Sequence, residues 1–473
     1  MSTDSTYSSN PKIIFASVAL VIALGSLEKS IVTTPLALIG QELSAGKSLT
    51  WVITAYLLAA TAVLPVYGKL SDLFGRVRML NISIVIFMIG SALCTFAIDL
   101  PSLIGARVIQ GIGGGGLIAL AFTVIADSIP AREVGKYQGY ISAVYAVYAV
   151  SSIAGPLLGG YFADHLTWRW VFGINLPLGL VALWMVNRYL SHLNKRRNSR
   201  FDWLGAGLLM IATTMLLMLL SSHSFMPNGW GAFILLASLV MLVLVEKRVS
   251  DPILPARLAR LPNYLTAIML VMGSQMLMFA LLVYLPLQLQ WQKGLSPSQS
   301  GVVMVIFMFC ITAGAYVGGK LVAKFARYKL LVALGFALAM IALWQIHYDI
   351  WVNFALGFAG IGLGLTLPAL SVVVQSVLPA RDRGIGMSLF NFGRELGGAL
   401  GVAFCSALFY LRVPQDVTVS EHGAEQAQVA THVLAQGFSL VYIGMSVLAL
   451  CAMLLTILKL RRDALTVKAP ATE

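Results

Sequence analysis

The sequence predicts an all-α membrane protein. It should hold two six-helix bundles in parallel repeat plus two inserted helices, making fourteen transmembrane helices with both termini inside. Three observations predict this. The residues are 59% hydrophobic and 11% charged, whereas a soluble domain carries about 25% charged residues. Apolar stretches of helical length recur along the whole chain. Two short motifs return at nearly one spacing.

Composition sets the solvent. A soluble chain with so few polar residues could not cover its cores, so the excess apolar surface belongs in lipid. Lipid then selects the helix, because spanning backbone must satisfy its own hydrogen bonds. Met1–Asn10 is polar and the first apolar run is too long for a signal core, which reads as no cleavable signal. Cys94, Cys310, Cys405 and Cys451 each lie in an apolar run without metal-ligand spacing and read as small buried hydrophobes. No phosphate-binding G-x-x-x-x-G-K-[ST] loop occurs, so ATP drive is unsupported; no metal cluster is found either, and no cofactor is expected. No nucleophile constellation is found, and the six histidines fall in or near loops or span ends, which disfavours an enzyme.

The apolar stretches run over 13–40, 49–71, 79–99, 101–127, 136–163, 170–190, 203–222, 229–246, 263–291, 299–324, 329–347, 350–378, 385–411 and 433–459. A hydrocarbon core of about 30 Å needs about 20 helical residues, and most of these suffice. With the N-terminus inside, 25 of the 32 Lys and Arg residues fall in inner segments, and only Lys47, Arg169, Lys293 and Arg412 fall in outer loops. That asymmetry is the positive-inside pattern, and it predicts an even span number. It also explains the net charge of +13 without nucleic acid. The cluster Lys195, Arg196, Arg197 and Arg200 reads as a topology anchor at the anionic leaflet. The polar outer loop near 413–431 receives no role.

Gly68-Lys-Leu-Ser-Asp-Leu-Phe-Gly-Arg-Val-Arg78 aligns with Gly319-Lys-Leu-Val-Ala-Lys-Phe-Ala-Arg-Tyr-Lys329, and Pro130-Ala-Arg-Glu-Val-Gly135 with Pro379-Ala-Arg-Asp-Arg-Gly384. Two matches at nearly one offset predict duplicated halves. The expected organisation is a cytoplasmic tail over 1–12, a first bundle over 13–190, an inserted pair with basic inner loops over 191–262, a second bundle over 263–459, and a tail over 460–473.

Four motifs carry chemistry. The loop after the second span holds Gly68, Asp72, Gly75, Arg76 and Arg78: glycines for a tight turn, and an acid bracketed by arginines. The fourth span carries Arg107 and Gln110. A buried Arg in lipid needs a partner. At 1.5 Å per residue, Arg107 lies about 9 Å inside the outer boundary and Glu28 of the first span about 8 Å, so the two are expected to face each other. The run Gly111–Gly116 follows no strand and reads as close helix packing rather than a nucleotide loop. In the fifth span, Pro156 should kink a helix whose Gly155, Gly159 and Gly160 form a close-packing face, with a matching face expected from Gly314, Ala315, Gly318 and Gly319 across the halves. The thirteenth span holds Asn391, Arg394 and Glu395.

The Gly68–Arg78 loop resembles the signature loop of the major facilitator superfamily. The resemblance implies that Asp72 latches the halves together on the cytoplasmic side, a role its repeat copy Ala323 cannot share. The Gly155–Gly160 run resembles the antiporter signature of that family's exporters. Trp168–Pro177 and Phe201-Asp202-Trp203-x-Gly205 resemble motifs of its fourteen-helix drug:proton antiporter branch. The resemblance implies export of small amphiphilic compounds in exchange for protons by alternating access, from the plasma membrane (a bacterial inner membrane). Glu28, Arg107, Glu395 and Arg394 would couple protons. Tyr56, Gln110, Tyr145, Tyr148, Gln275, Phe279 and Asn391 are cavity candidates. A lipid or lysolipid flippase, or a metabolite or siderophore transporter, remains the alternative on this scaffold. Besides protons, substrate and lipid, a periplasmic adaptor is conceivable, and no residue supports one. The first span departs from the branch pattern L-D-x-T-I-V-N-V-A-L-P: it has Glu28 for Asp, followed by the cation Lys29, whose stem is long enough to snorkel. Glu28 and Glu395 against Lys29, Arg107 and Arg394 leave one surplus positive charge in the membrane, so neutral or weakly acidic amphiphiles stay open.

Overall fold

The computed structural model describes residues 11–128, 134–190, 202–220, 228–249, 256–325, 327–379, 382–413 and 424–460. Among them every regular element is helical. The long helices are α1 (Pro11–Ile31), α2 (Trp51–Phe74), α3 (Arg76–Thr95), α4 (Leu100–Ser128), α5 (Val134–His165), α6 (Asn175–Tyr189), α7 (Trp203–Leu220), α8 (Asn228–Glu246), α9 (Tyr264–Trp291), α10 (Pro297–Phe325), α11 (Tyr328–His347), α12 (Val352–Val377), α13 (Arg383–Tyr410) and α14 (Ala424–Lys459). Twelve helical segments among the described residues are long and apolar enough to cross a membrane. The segment in α7 is shorter, and α13, which carries Asn391, Arg394 and Glu395 mid-length, is not among the twelve.

Helix ends follow local chemistry. The first apolar stretch breaks after Ile31, before a short helix over Leu36–Glu42. Pro35 disfavours helix at the residue before it, and Thr33 donates to the Ser30 carbonyl at 2.7 Å. The expected single helix over 13–40 is therefore two. The loop expected after the second span shrinks instead to one residue: α2 continues through Gly68 and Asp72 to Phe74, and Gly75 alone turns the chain at φ 95°. That φ is open to glycine and strained for other residues. At the far end, α14 starts at Ala424, inside the stretch expected to be loop.

Helices α1–α6 pack mainly on one another, and so do α9–α14. The groups meet chiefly through α2 with α13 and α5 with α10. Helix α7 lies against α2 and α13, and a small core of Leu64, Ala206, Leu209, Leu242 and Phe392 joins this pair to α7 and α8. On α8, Trp230, Phe233, Leu236, Val240 and Val243 are exposed, the surface expected of a helix in lipid. Cys94 and Cys405 are buried as expected, but Cys310 is half-buried beside Gly357 and Gly360 of α12, and Cys451 is exposed on a face that lipid would cover. Asp202 caps α7, accepting from the Gly205 N–H at 2.8 Å. The cluster from Lys195 to Arg200, Phe201, and most of the Pro130–Gly135 motif lie outside the described residues.

Candidate functional site: two ion pairs on one helix

Consecutive helical residues point about 100° apart, so Glu28 and Lys29 serve different neighbours. Glu28 faces its own group. Arg107 of α4 donates through Nη1 to Glu28 Oε1 and, at 2.5 Å, to Gln110 Oε1. Its Nε donates to the Val52 carbonyl at 2.8 Å. The guanidinium lies over the Tyr56 ring, 4.4 Å from its centroid, with Phe172 5.5 Å away. Asn175, at the start of α6, donates to Glu28 Oε2 at 2.6 Å, and Gln110 donates to Ser91 Oγ at 2.9 Å. The Arg107 and Glu28 side chains are 2% and 0% exposed, so the pair is sealed. Such a pair is held only when both charges are fully hydrogen-bonded. Four helices supply its partners, and all belong to the α1–α6 group.

Lys29 crosses to the other group. Its Nζ donates to both carboxylate oxygens of Glu395 on α13, each at 2.7 Å. Arg394 Nη2 donates to Glu395 Oε1 at 3.1 Å. Lys29 and Glu395 keep 14% and 11% exposure, so solvent reaches this pair. The lysine does not snorkel, because a carboxylate at its own depth compensates it better than a distant headgroup.

The signature residues form a helical hairpin rather than a loop. Arg76, the first residue of α3, donates back across the Gly75 turn to Asp72 near the end of α2, at 3.3 Å. Arg78 is exposed, and a Cβ on Gly68 would meet open space. The repeat position Gly319 is equally open.

The small face of α5 meets α10 across the halves as expected, but at the start of α10, and its other glycines pack on α1. A Cβ on Gly155 would sit 1.9 Å from Ser30 Oγ, and one on Gly159 2.1 Å from the Ile31 carbonyl, both on α1. One on Gly160 would sit 2.6 Å from the Pro297 carbonyl at the start of α10. Pro156 sits inside α5, and its carbonyl accepts from Thr34 Oγ1 at 3.1 Å. The expected match with Gly314, Ala315, Gly318 and Gly319 fails: Gly314 and Gly318 pack on Ile361 and Leu365 of α12. The reason is depth. Gly314 lies about 25 Å along α10 from Pro297, far below the level of Gly160.

The cavity candidates divide. Tyr56 and Gln110 are buried parts of the sealed Glu28–Arg107 site. Gln275 and Phe279 are buried in α9, with Phe279 against Gly398 of α13. Tyr148 and Asn391 are half-buried, and the side chain of Tyr145 lies outside the described set. Sequence reasoning gave Asn175 no role beyond its motif; an amide in an apolar span was the available signal.

Bonds between the groups cluster at the end opposite Gly75. Thr50 and Ser406 hydroxyls are 3.0 Å apart, Tyr410 donates to the Gly46 carbonyl at 2.9 Å, and Gln290 to the Thr34 carbonyl at 2.7 Å. The Ser296 hydroxyl and the Ser298 N–H donate to Asp164, each at 2.9 Å.

The family model of the Major Facilitator Superfamily matches residues 18–402. The chain belongs to this superfamily. As a major facilitator it is a multi-pass membrane transporter, with no call for catalytic groups. It is 31% identical over 414 residues to Multidrug resistance protein 3 of Bacillus subtilis (strain 168), covering 85% of this chain and 80% of the relative. It is 32% identical over 407 residues to Multidrug transporter protein MdtP of the same organism, covering 83% and 74%. Solved major facilitators share its fold. A bacterial homolog of the human lysosomal transporter Spinster, inward-facing and unoccupied, superposes with TM-score 0.69 at 15% identity over 97% of this chain and 99% of that one. A D-xylose-proton symporter gives 0.65 at 17%, over 96% and 98%.

Proposed function

We propose that this protein exports small amphiphilic compounds in exchange for protons, by alternating access between a half over 13–190 and a half over 263–459. The observation that carries the reading is the sealed Glu28–Arg107 pair. Ionisable groups buried inside a membrane-spanning bundle are costly, and such groups are generally functional. Bacterial relatives named for multidrug resistance and multidrug transport support the substrate class.

In this reading α7 and α13 also cross the membrane, giving fourteen spans with both termini inside and the inserted pair against the seam between halves. A proton arriving at Glu28 neutralises the carboxylate, and Arg107 then leans on Gln110, the Val52 carbonyl and the Tyr56 ring. The rearrangement passes down α1, whose Ser30 and Ile31 are clasped by Gly155 and Gly159 of α5. Because α1 also carries Lys29, it reaches Glu395 of the opposite half. Among the described residues, most bonds between the halves lie toward the outer end, which supports reading this state as inward-facing. In the other state the open faces at Gly68 and Gly319 close, and Asp72 acts as the inner latch.

The test uses inverted membrane vesicles holding the full-length protein, an imposed pH gradient, and fluorescent dyes and weak acids as cargo. Wild type should move cargo only with the gradient, and Glu28→Gln should lose that dependence. Gradient-coupled movement by Glu28→Gln would remove the pair from the mechanism, and gradient-independent movement by wild type would favour a flippase.

A further inference from the structure

Among the described residues, Lys29, Glu395 and Arg394 form a charge cluster that joins the two groups of helices, and the proton site at Glu28 stands apart from it. Among the described ion pairs, two cations here meet one carboxylate. Both Glu395 oxygens receive Lys29 Nζ at 2.7 Å, and Arg394 adds a third donor at 3.1 Å. Glu28 cannot balance the surplus, because Arg107, Asn175 and burial tie it into its own site. A net positive charge in a low-dielectric seam attracts an anion. Unlike the sealed pair, this one keeps 14% and 11% exposure, and Asn391, one turn before Glu395, is also half-buried.

We infer that Lys29 is the substrate-binding cation of the transport path, and that its ligand is the carboxylate of a weakly acidic amphiphile, which displaces Glu395. The inference rests on the export reading and narrows its substrate class. The exchange balances charge. Before binding, Lys29 and Arg394 face one carboxylate. After binding, Lys29 faces the substrate's carboxylate while Arg394 keeps Glu395. No buried charge is stranded at either stage, and the bond between the halves is released only when cargo has arrived. A cationic substrate would instead have to take Glu395 from Lys29, leaving three cations on one carboxylate.

This assignment predicts opposite effects from the two partners. The full-length protein in detergent is titrated with a dansyl-labelled alkyl carboxylate and with the dansyl alkylamine of equal chain length, following dansyl fluorescence. Lys29→Gln should weaken carboxylate binding at least about tenfold, in the range expected when one member of a buried charge pair is lost. Glu395→Gln should tighten it several-fold, because the internal competitor is gone. The amine should bind wild type more weakly than the carboxylate. A merely structural latch moves both variants in one direction, since each breaks the same bond, and that result overturns the assignment. So does preferential binding of the amine, or failure of wild type to bind the carboxylate. Misfolding cannot mimic a gain in affinity, so Glu395→Gln guards against that artefact. Gradient-driven vesicle transport, run in parallel, reports on the export reading separately: carboxylate binding with the opposite-sign response can hold even where proton coupling fails.

Discussion

Glu28 and Lys29 are neighbours in sequence and opposites in structure. One is buried within its own group of helices, pinned by Arg107 and Asn175. The other reaches across the seam to a partner that solvent touches. The difference separates two jobs that one helix can hold. On the proposals above, the sealed pair would respond to a small ion, since its burial leaves no room for a larger ligand. On the same proposals, a partly open pair between the two halves is the one that cargo would break. Helix geometry alone makes the separation, since one residue step rotates the side chain from one group toward the other.

The sharpest way to break this comparison is to remove a cation from each pair. Arg107→Ala strands Glu28 in a site without water and should cost about 3–5 kcal/mol of stability, read as a large drop in the thermal unfolding midpoint in detergent. Adding Glu28→Gln should restore part of the loss, since the orphan charge goes too. Asn175→Ala removes a hydrogen bond to the same carboxylate and should cost about 1.5–3 kcal/mol. Lys29→Met should cost less, about 1–2 kcal/mol, because Arg394 still compensates Glu395. It should also raise thiol labelling of a cysteine placed at Ser406, as the bonded end opens more often. Equal losses from Arg107→Ala and Lys29→Met would erase the distinction between sealed and open pairs.

Much of this was legible in the sequence. Apolar runs set the helices, and depth counting brought Glu28 to Arg107, because rise per residue is fixed in lipid. Rotation about the helix axis was not legible. Nothing in the residue order says that Lys29 points at Glu395, 366 positions away, because that contact depends on how two groups of helices sit together. The same gap misdirected the small face of α5: glycine spacing announces a close approach without naming its partner, and Ile31 and Pro297 took the place expected of Gly314 and Gly318. Helix breaks were missed for local reasons. Pro35 ends α1 early, and Gly75 needs no loop around it.

A third pair extends the series to the surface and should give the smallest effect. Glu42, at the end of the short helix before α2, accepts from Trp168 Nε1 at 2.6 Å and Arg169 Nη1 at 2.7 Å, and Arg169 stacks over the Trp168 ring at 4.3 Å. The bond from Arg169 holds its carboxyl below the ordinary Glu value, with help from Trp168. A lowered folded-state value means the unfolded chain takes up a proton first. The stabilisation is therefore fully present above the ordinary Glu range near pH 4.3, and it fades as pH falls through the lower folded value. Exposure screens the pair, so Glu42→Gln should cost under about 1 kcal/mol. The unfolding midpoints of wild type and Glu42→Gln should differ slightly at pH 7, converge in acid, and draw together in high salt. A gap as wide as that of Lys29→Met would mean that solvent exposure does not rank these pairs.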